Sequence, residues 1–552
     1  MLFFQFEGHS HLAAIGNRFV PAALYDTQPE EAGCLPGTRT RVLGKFMKWA
    51  KDDPMRLFWL AGLAGTGKTS IAVTLCRMLQ DEPGTMLGGS FFCSRTANIS
   101  ELTDARCIIP TLAAFLAEST AEFAAALAAE LTADPRATLK PTSNQIDALL
   151  QRPLASLASL SCPIVFLIDA LDECSDESEV KKLLLAISNL TCDTKVKFIV
   201  TSRPETHINA NLTSAAGHNT ILRLHTIDKA EVTEDIHLYI NHAFSKQPLE
   251  EAWYTAYDVD SLANHADGLF IFASTVVSYV LDTESVEERM ARLQTAAFAM
   301  KDSKVATGPL DAIYEFVLTR ASNTAKVEPA ELKATQQALA CILAARVPLS
   351  IIVLAEILER SSGLLRASLR RLRSIVHVPD DLNQPELRIV HASFGDYLFE
   401  RAAAVLRISG ALGDELLTRG CLRIMGKRLH FNVSQSRSSH EANPGIRPET
   451  VTPSLEYACL QWIYHIAGLP EPWAMDAVIE LLLRSKFLFW LEVMSVLRHV
   501  GRAAAMLIFA ATTVRCQKKL VIVSHPLCRF VQNSSHASCV MPTRSWLHHG
   551  RR

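Results

Sequence analysis

The sequence contains no apolar run long enough to cross a membrane and no closely paired cysteines. The best membrane candidate, GLFIFASTVVSYVL at 268–281, has 14 residues and is too short to span a bilayer, so it is predicted to be a buried helix. The 13 cysteines include no CxxC pair, which is typical of reduced thiols rather than a disulfide framework. No basic segment precedes the apolar residues of the amino terminus, unlike in a signal peptide. We therefore expect a cytoplasmic protein without a membrane segment.

Acidic residues are missing from the last part of the chain. The formal net charge is −2, yet residues 493–552 contain nine Lys/Arg and no Asp/Glu. The larger part of the chain is therefore acidic, and it offers no electrostatic reason to bind nucleic acid. Residues 515–552 are rich in His, Cys and Ser, and their cysteines, Cys516, Cys528 and Cys539, lack zinc-ligand spacing. We predict a basic, irregular tail in which nucleic-acid binding is disfavoured.

No repeat of fixed period is found, but continuous apolar runs recur. They predict strands at 56–62, 89–95, 163–173, 196–205 and 220–225. Helical patterns lie between them, at 41–50, 69–79 and 108–131. In the second of these helices Ile71, Leu75 and Met78 are predicted to face inward. Apolar strands alternating with helices indicate an α/β fold whose parallel sheet is buried on both faces. The pattern from 229 to 500 is mainly helical.

A phosphate-binding loop is predicted where the first strand ends. Residues 62–69, GLAGTGKT, fit the pattern G-x-x-x-x-G-K-[ST]. Glycines allow backbone N–H groups to point at phosphate oxygens, and the following helix presents its N-terminus to the anion. The predicted nucleotide contacts are Gly62, Gly65, Thr66, Gly67, Lys68, Thr69 and Ser70, with Lys68 on the β- and γ-phosphates and Thr69 on Mg²⁺. The alternative is a glycine-rich turn with an exposed lysine.

Acidic residues end the third strand. Asp169 follows the apolar run at the carboxyl edge of the sheet, where the phosphate loop also opens, and is predicted to hold Mg²⁺. Asp172 and Glu173 follow within one turn, and either could orient or deprotonate an attacking water. The alternative is a strand end with solvated acids.

An arginine in TSRPE, Arg203, follows the fourth strand and is predicted to sense the γ-phosphate. The alternative is a surface arginine fixed by Pro204. Arg95, after SFFC, is interpreted as structural. No guanine-reading N-K-x-D occurs, so a Ras-like GTPase is disfavoured. ATP and ADP with Mg²⁺ are the predicted ligands, and GTP is left open.

With these residues in place, the chain resembles the fungal NACHT proteins, which are signal-transducing STAND ATPases with a nephrocystin-3-like NTPase segment. The stretches that carry the resemblance are CLPGTRTRVL (34–43), FWLAGLAGTGKTSIA (58–72), SFFCSR (90–95), FLIDALDEC (166–174), FIVTSRPE (198–205), ADGLFIFASTVV (266–277), PLDAIYEFVL (309–318) and RIVHASFGDYL (388–398). The resemblance implies that His391 touches the β-phosphate of ADP in a closed state; the alternative is a core or capping histidine. It also implies that Thr38 and Arg39 approach the nucleotide.

The resemblance further implies a domain order. We expect a lead-in (1–33), a P-loop NTPase domain (34–228), a helical domain (229–330), a winged-helix domain (331–400), a helical bridge (401–514) and the basic tail (515–552). Neither an amino-terminal effector domain nor carboxyl-terminal sensor repeats are expected in this sequence.

The function implied by the resemblance is a nucleotide-controlled switch. ATP favours an open, self-associating form, ADP favours a closed monomer, and slow hydrolysis resets the protein. The activating ligand and the effector are unknown. The alternatives are a remodelling ATPase with steady turnover and a truncated scaffold without a signalling role.

Overall fold

The structure is a computed structural model that describes residues 15–97, 99–155, 162–190, 195–214, 219–246, 253–302, 308–322, 329–402, 407–435, 450–469 and 485–513. Contacts between Cα atoms divide the chain into two units. The first contains Met1–Phe316 with His391–Ser393, and the second contains Val317–Val390 with Phe394–Arg552. The predicted tail with Cys516, Cys528 and Cys539 lies outside the described residues.

A five-stranded parallel sheet forms the centre of the first unit, with strand order β2-β3-β4-β1-β5. Its strands are β1 (Leu57–Ala61), β2 (Met86–Phe92), β3 (Ile164–Asp169), β4 (Val196–Ser202) and β5 (Asn219–Arg223). The predicted doubly covered α/β fold is thus confirmed.

Both faces of the sheet are buried along β1 to β4, which is why these strands read as continuous apolar runs, whereas the edge strand β5 is half-buried. Along β1, Trp59 points into one buried cluster, while Phe58 and Leu60 point into the other. Successive side chains of a strand alternate between faces, so a strand covered on both sides needs apolar residues at every position.

The helices of the NTPase part connect and cover these strands. They are α1 (Thr40–Asp52), α2 (Lys68–Asp81), α3 (Ile108–Ser119), α4 (Ala121–Ala133), α5 (Thr142–Ile146), α6 (Arg152–Ala155), α7 (Glu177–Ser188) and α8 (Thr206–Ser214). In α2, Ile71 and Leu75 are fully buried as predicted, but Met78 is only half-buried and its place in the core is taken by Leu79.

Helices then follow to the end of the described chain. They are α9 (Lys229–Ser245), α10 (Ala256–His265), α11 (Phe270–Leu281), α12 (Val286–Asp302), α13 (Pro309–Ala321), α14 (Pro329–Ala344), α15 (Ile351–Leu358), α16 (Ser362–Arg370), α17 (Ala392–Glu400), α18 (Gly410–Arg428), α19 (Pro453–Ala467), α20 (Phe487–Val496) and α21 (Val500–Thr513). A short antiparallel ribbon of β6 (Val376–His377) and β7 (Arg388–Ile389) lies between α16 and α17. The predicted buried helix at 268–281 is α11. Among the described residues, no helix combines the length and apolar character that a membrane crossing requires.

The second strand begins and ends three residues earlier than predicted. Gly88 and Gly89 lie inside the strand, at a bulge between Leu87 and Gly89. A side chain at 88 would collide with Ile164 and Phe166 of β3. Glycine within a strand often marks such a close approach.

Candidate functional site

The glycine-rich loop joins the end of β1 to the start of α2. Gly65 and Gly67 have φ angles of 77° and 88°, in the left-handed region that glycine adopts without strain. Gly67 is the N-cap of α2, and no side chain caps the helix. The first N–H groups of α2 are therefore available to an anion, as in other helix-terminal phosphate sites.

Gly65 also lies against the start of α11. The Ile271 amide donates to the Gly65 carbonyl at 3.1 Å. A Cβ at position 65 would lie 2.0 Å from Cγ2 of Ile271. This position thus requires glycine both for its backbone conformation and for its close packing.

Lys68, the first residue of α2, is folded over its own loop. Its Nζ donates to the carbonyls of Gly62 at 2.9 Å and Leu63 at 3.0 Å. Desolvation lowers the pKa of Lys68, while Asp172 and Asp169 act in the opposite direction.

Asp169, the last residue of β3, is almost completely buried. It accepts hydrogen bonds from the hydroxyls of Thr69 at 2.8 Å and Thr201 at 2.6 Å. Burial raises its pKa, and the two hydroxyls and Lys68 partly oppose that effect. The predicted Mg²⁺ pair, Thr69 and Asp169, is therefore in direct contact.

Two arginines hold the acids that follow Asp169. The Asp172 carboxylate accepts from the Arg203 amide at 2.9 Å and lies 3.2 Å from Nε of Arg203. The Glu173 carboxylate accepts from the Arg95 amide at 2.7 Å, and the Arg95 guanidinium donates to the carbonyls of Asp172 and Glu173. Burial raises the pKa of Glu173 to about 7. Arg95, interpreted as structural from the sequence, thus fixes the backbone of both acids.

Arg39 reaches the phosphate loop from the turn before α1. Its Nη2 donates to the Thr66 carbonyl at 2.9 Å, and its guanidinium lies 4.7 Å from the ring centre of Phe270. Its backbone amide donates to Asp235 at 3.1 Å. Nε of Arg39 is buried without a hydrogen-bond partner. Thr38 is buried beside it, and its hydroxyl donates to the Leu35 carbonyl.

These groups surround one cavity of about 1130 Å³ within the first unit, large enough for a nucleotide-sized ligand. The predicted site residues that line it are Gly65, Gly67, Lys68, Thr69, Ser70, Asp172, Glu173, Arg203 and His391, together with Thr38 and Arg39. Gly62, Thr66 and Asp169 lie behind this lining and contact it through the bonds described above.

His391 lines the same cavity at the start of α17. Its Nδ1 accepts from the Ser393 amide at 3.2 Å and lies 2.6 Å from the Ser393 hydroxyl, which lies 2.9 Å from the Tyr314 hydroxyl. A backbone amide can only donate, so Nδ1 is the acceptor and the neutral ring carries its proton on Nε2. That tautomer offers a donor of the kind that a phosphate oxygen accepts.

Sequence reasoning missed a second group of lining residues. They comprise residues 30–36 before α1, Arg77 of α2, Tyr239, His242 and Ala243 of α9 with Lys246 directly after it, and Phe270, Ile271, Ser274 and Leu281 of α11. Their sequence shows only helical periodicity or a turn, so no local signal marks them as part of a site.

The residues present fit a nucleotide and Mg²⁺. The uncapped helix, the positive-φ glycines and the buried Arg39 suit phosphate groups. The Thr69 hydroxyl and Asp169 carboxylate are the hard oxygen ligands that Mg²⁺ prefers. A glycine loop between a strand and a helix, with an acid at the same edge of the sheet at the end of another parallel strand, defines a P-loop NTPase domain.

The family of this domain agrees with the predicted resemblance. Residues 37–203 match the family described as Nephrocystin 3, N-terminal. Over 498 residues the chain is 24% identical to the vegetative incompatibility protein HET-E-1 of Podospora anserina, covering 82% of this chain and 34% of that protein. The chain thus spans about a third of the length of this curated relative.

Two solved structures are similar to larger parts of the chain. One is a signal transduction ATPase with numerous domains and a tetratricopeptide repeat sensor from Pyrococcus horikoshii, with 12% identity and a TM-score of 0.42, covering 94% of this chain and 61% of that one. The other is a Walker-type ATPase of Pyrococcus abyssi, with 14% identity and a TM-score of 0.31, covering 70% of this chain and 99% of that one.

Proposed function

We propose that the protein is a STAND-type switch that binds ATP or ADP with Mg²⁺ and hydrolyses ATP slowly. The observation that carries this proposal is the position of His391, which lines the same cavity as Lys68 and Thr69 although more than 300 residues separate them. A ligand shifts a conformational equilibrium only through its different affinity for the two states. His391 provides such a difference if it contacts the nucleotide in only one of them.

The phosphate end of the cavity is assigned to the loop and the first turn of α2. Lys68 would exchange its bonds to the Gly62 and Leu63 carbonyls for the β- and γ-phosphates, and the uncapped N–H groups would hold the same oxygens. Thr69 and Asp169 would hold Mg²⁺, which when bound neutralises charge on the phosphates.

Hydrolysis is assigned to the acids after β3. Glu173 has a pKa of about 7, close to that of an efficient general base at neutral pH. Asp172 keeps Arg203 at the end of β4, from which that guanidinium would sense the γ-phosphate. Arg95 positions both acids through their backbone carbonyls.

We propose that His391 makes the choice between the open and the closed form depend on which nucleotide is bound. His391–Ser393 group with the first unit, whereas Val390 and Phe394 on either side group with the second. A bond from Nε2 to the β-phosphate of ADP would therefore hold the segment that leads into the second unit. The order of α14 to α16 followed by the β6–β7 ribbon supports assigning 331–400 to a winged helix, after a NTPase domain (34–228) and a helical domain (229–330), and before a helical bridge (401–514).

The wider role is proposed from the relatives. HET-E-1 is named for vegetative incompatibility, and we propose a related signalling role for this chain in the cytoplasm. It would self-associate in its ATP state and act on an effector. ATP is preferred over GTP in this proposal because the sequence has no guanine-reading motif.

Replacement of His391 by Ala tests the switch. A charge-assisted hydrogen bond contributes roughly 1.5–3 kcal/mol, so we expect His391→Ala to release ADP roughly 10- to 150-fold faster and to self-associate more readily. Stopped-flow release of a fluorescent ADP and light scattering measure the two effects.

The matched control is His377→Ala, because His377 lies in the β6–β7 ribbon and is partly exposed. It should leave both properties unchanged. An unaltered ADP release rate and mass in a folded His391→Ala variant would mean that His391 is a capping histidine and that the switch assignment is wrong.

A further inference from the structure

Two buried hydroxyl groups lie behind His391. They belong to Tyr314 of α13 and Ser393 of α17, which are 1% and 3% exposed. The two oxygens lie 2.9 Å apart, although 79 positions separate the residues. The structure thus joins PLDAIYEFVL (309–318) and RIVHASFGDYL (388–398), and the first of these stretches had no predicted site residue. Neither Tyr314 nor Ser393 lines the nucleotide cavity, so their connection to it runs through His391.

The Tyr314 ring is held on the buried side of α13. Ile313, Val317 and Leu318 of the same helix are also buried. Tyr314 and Leu318 are four residues apart, so they lie on one face of the helix. A hydroxyl in apolar surroundings costs free energy unless it is hydrogen-bonded, and Ser393 supplies such a partner. The packing of α13 therefore fixes the place of the tyrosine oxygen.

The direction of each hydrogen bond follows from the available protons. Nδ1 of His391 accepts from the Ser393 amide at 3.2 Å, so this nitrogen carries no proton. The Ser393 hydroxyl lies 2.6 Å from Nδ1 and therefore donates its single proton to it. Because that proton is used, the serine oxygen accepts from the Tyr314 hydroxyl. A chain of two hydroxyl donors thus ends on Nδ1 and leaves the ring proton on Nε2.

This direction matters for an anionic ligand. With its proton on Nε2, the ring offers a donor to a phosphate oxygen. The other neutral tautomer would present a lone pair on Nε2 to that oxygen, and its Nδ1 proton would face the Ser393 amide. Hydrogen bonds in a chain polarise one another in a protein interior. The two hydroxyls therefore favour the donor tautomer and hold the ring in one orientation.

We propose that Tyr314 and Ser393 are positioning residues that hold His391 as a hydrogen-bond donor toward the phosphate of a bound nucleoside diphosphate. This inference rests on the proposed function, because it requires His391 to contact the nucleotide. It assigns a role to α13, none of whose described residues lines the cavity. The competing role for Ser393 and His391 is to cap α17 without any effect on the ligand.

A double-mutant cycle in the full chain tests the positioning role. Stopped flow measures the release of fluorescent ADP from the parent, Tyr314→Phe, His391→Ala and the double variant. Tyr314→Phe should release ADP about 3- to 10-fold faster, as expected for the loss of one net hydrogen bond. In the His391→Ala background the same change should alter the rate by less than about twofold, which is the usual error for additive sites. Ser393→Ala should behave in the same way in both backgrounds.

A second measurement needs no nucleotide. Nitrogen NMR of the chain with isotope-labelled histidine, at a pH where imidazole is neutral, distinguishes a bare ring nitrogen from a protonated one. The signals of His391 are those missing from His391→Ala. We expect a bare Nδ1 and a protonated Nε2 in the parent. Ser393→Ala should shift the Nδ1 signal because its hydroxyl donor is lost, and Tyr314→Phe should shift it less in the same direction.

Two control variants match these changes in chemistry. The Tyr457 hydroxyl lies 3.0 Å from Nε2 of His465 in the second unit, so Tyr457→Phe also removes a buried hydroxyl beside a histidine. The Ser368 hydroxyl donates to the Leu364 carbonyl at 2.9 Å within α16, so Ser368→Ala also removes a buried serine hydroxyl from a helix. Both variants should release ADP at the parent rate and leave the His391 signals unchanged.

The outcomes separate this inference from the proposed function. If His391→Ala releases ADP faster but Tyr314→Phe and Ser393→Ala do not, the positioning role is wrong while the switch stands. If these two variants speed release equally in both backgrounds, they act without His391 and the inference is again wrong. A protonated Nδ1 in the parent would contradict the hydrogen-bond chain itself. If the parent binds no ADP, or His391→Ala leaves its release unchanged, both proposals fail.

Discussion

Ionisable side chains have different surroundings in the two units. In the second unit, the His465 ring is completely buried and both of its nitrogens are engaged: Nδ1 lies 2.9 Å from the Asp414 carboxylate, and Nε2 lies 3.0 Å from the Tyr457 hydroxyl. In the first unit, Asp172 and Lys68 are also bonded within the protein, but they line a cavity with room for a ligand. The space beside these side chains, and not their burial, therefore distinguishes the two groups.

This difference separates a structural histidine from a candidate functional one. His465 has two protein partners that satisfy the ring, so it needs no ligand to explain its burial. His391 lines the cavity with a neutral tautomer whose Nε2 carries a proton. A buried polar residue is best regarded as part of a site when the space beside it is shaped for a further partner.

The largest expected effect comes from breaking the buried triad that His465 forms with Asp414 and Tyr457. His465→Phe leaves the Asp414 carboxylate and the Tyr457 hydroxyl without their central partner, and removing one member of a buried ionisable pair costs about 3–5 kcal/mol of unfolding free energy. Urea unfolding of the second unit measures the loss. ADP release from the first unit should not change, because the triad is assigned no contact with nucleotide.

His377→Phe serves as the control, since His377 is partly exposed in the ribbon. A loss below about 1 kcal/mol in His465→Phe, or a changed ADP release rate, would contradict the assignment of His465 to structure alone.

Much of the first unit was predictable because its signals are local. Strand β1 and the loop that follows it are adjacent in sequence, and Asp169 directly ends an apolar run. Each of these features depends on a few neighbouring residues. The sheet edge then brings Thr69 and Asp169 together, as parallel topology requires.

The rest of the site depends on contacts between distant segments. Arg39 contacts Asp235, 196 positions away, and Arg77 contacts the carbonyls of Glu30 and Pro29, 47 and 48 positions away. Such long-range contacts cannot be predicted from the spacing of residues in the sequence, because tertiary packing creates them. The position of His391 was implied by the family resemblance and not by its own surroundings in the sequence.

A smaller effect, on the pH dependence of ATP hydrolysis, is expected from Glu173 in the cavity. Burial raises the pKa of Glu173 to about 7, so its basic form increases as the pH rises through that value. ATP hydrolysis by the parent should therefore rise about tenfold between pH 6 and pH 8. Glu173→Gln should hydrolyse more slowly and lose this pH dependence, while still binding ATP. Steady-state phosphate release across this range measures both.

Glu177→Gln is the matched control, because the Glu177 side chain is 74% exposed. It should retain the parental pH profile. The same profile in Glu173→Gln would mean that Glu173 is not the base.

The central claim is that the cavity at the phosphate loop holds a nucleotide, and native mass spectrometry of the purified full chain tests it most directly. We predict one ADP per chain, retained by the parent or taken up from added Mg-ADP, and none in Lys68→Ala, which lacks the cation facing the phosphates. A nucleotide that binds only the folded state adds about 2.7 kcal/mol of stability at a hundredfold excess over its dissociation constant, so the parent alone should melt at a higher temperature with Mg-ADP. A parent that neither retains nor takes up nucleotide, or a Lys68→Ala variant that binds it equally well, would contradict the account.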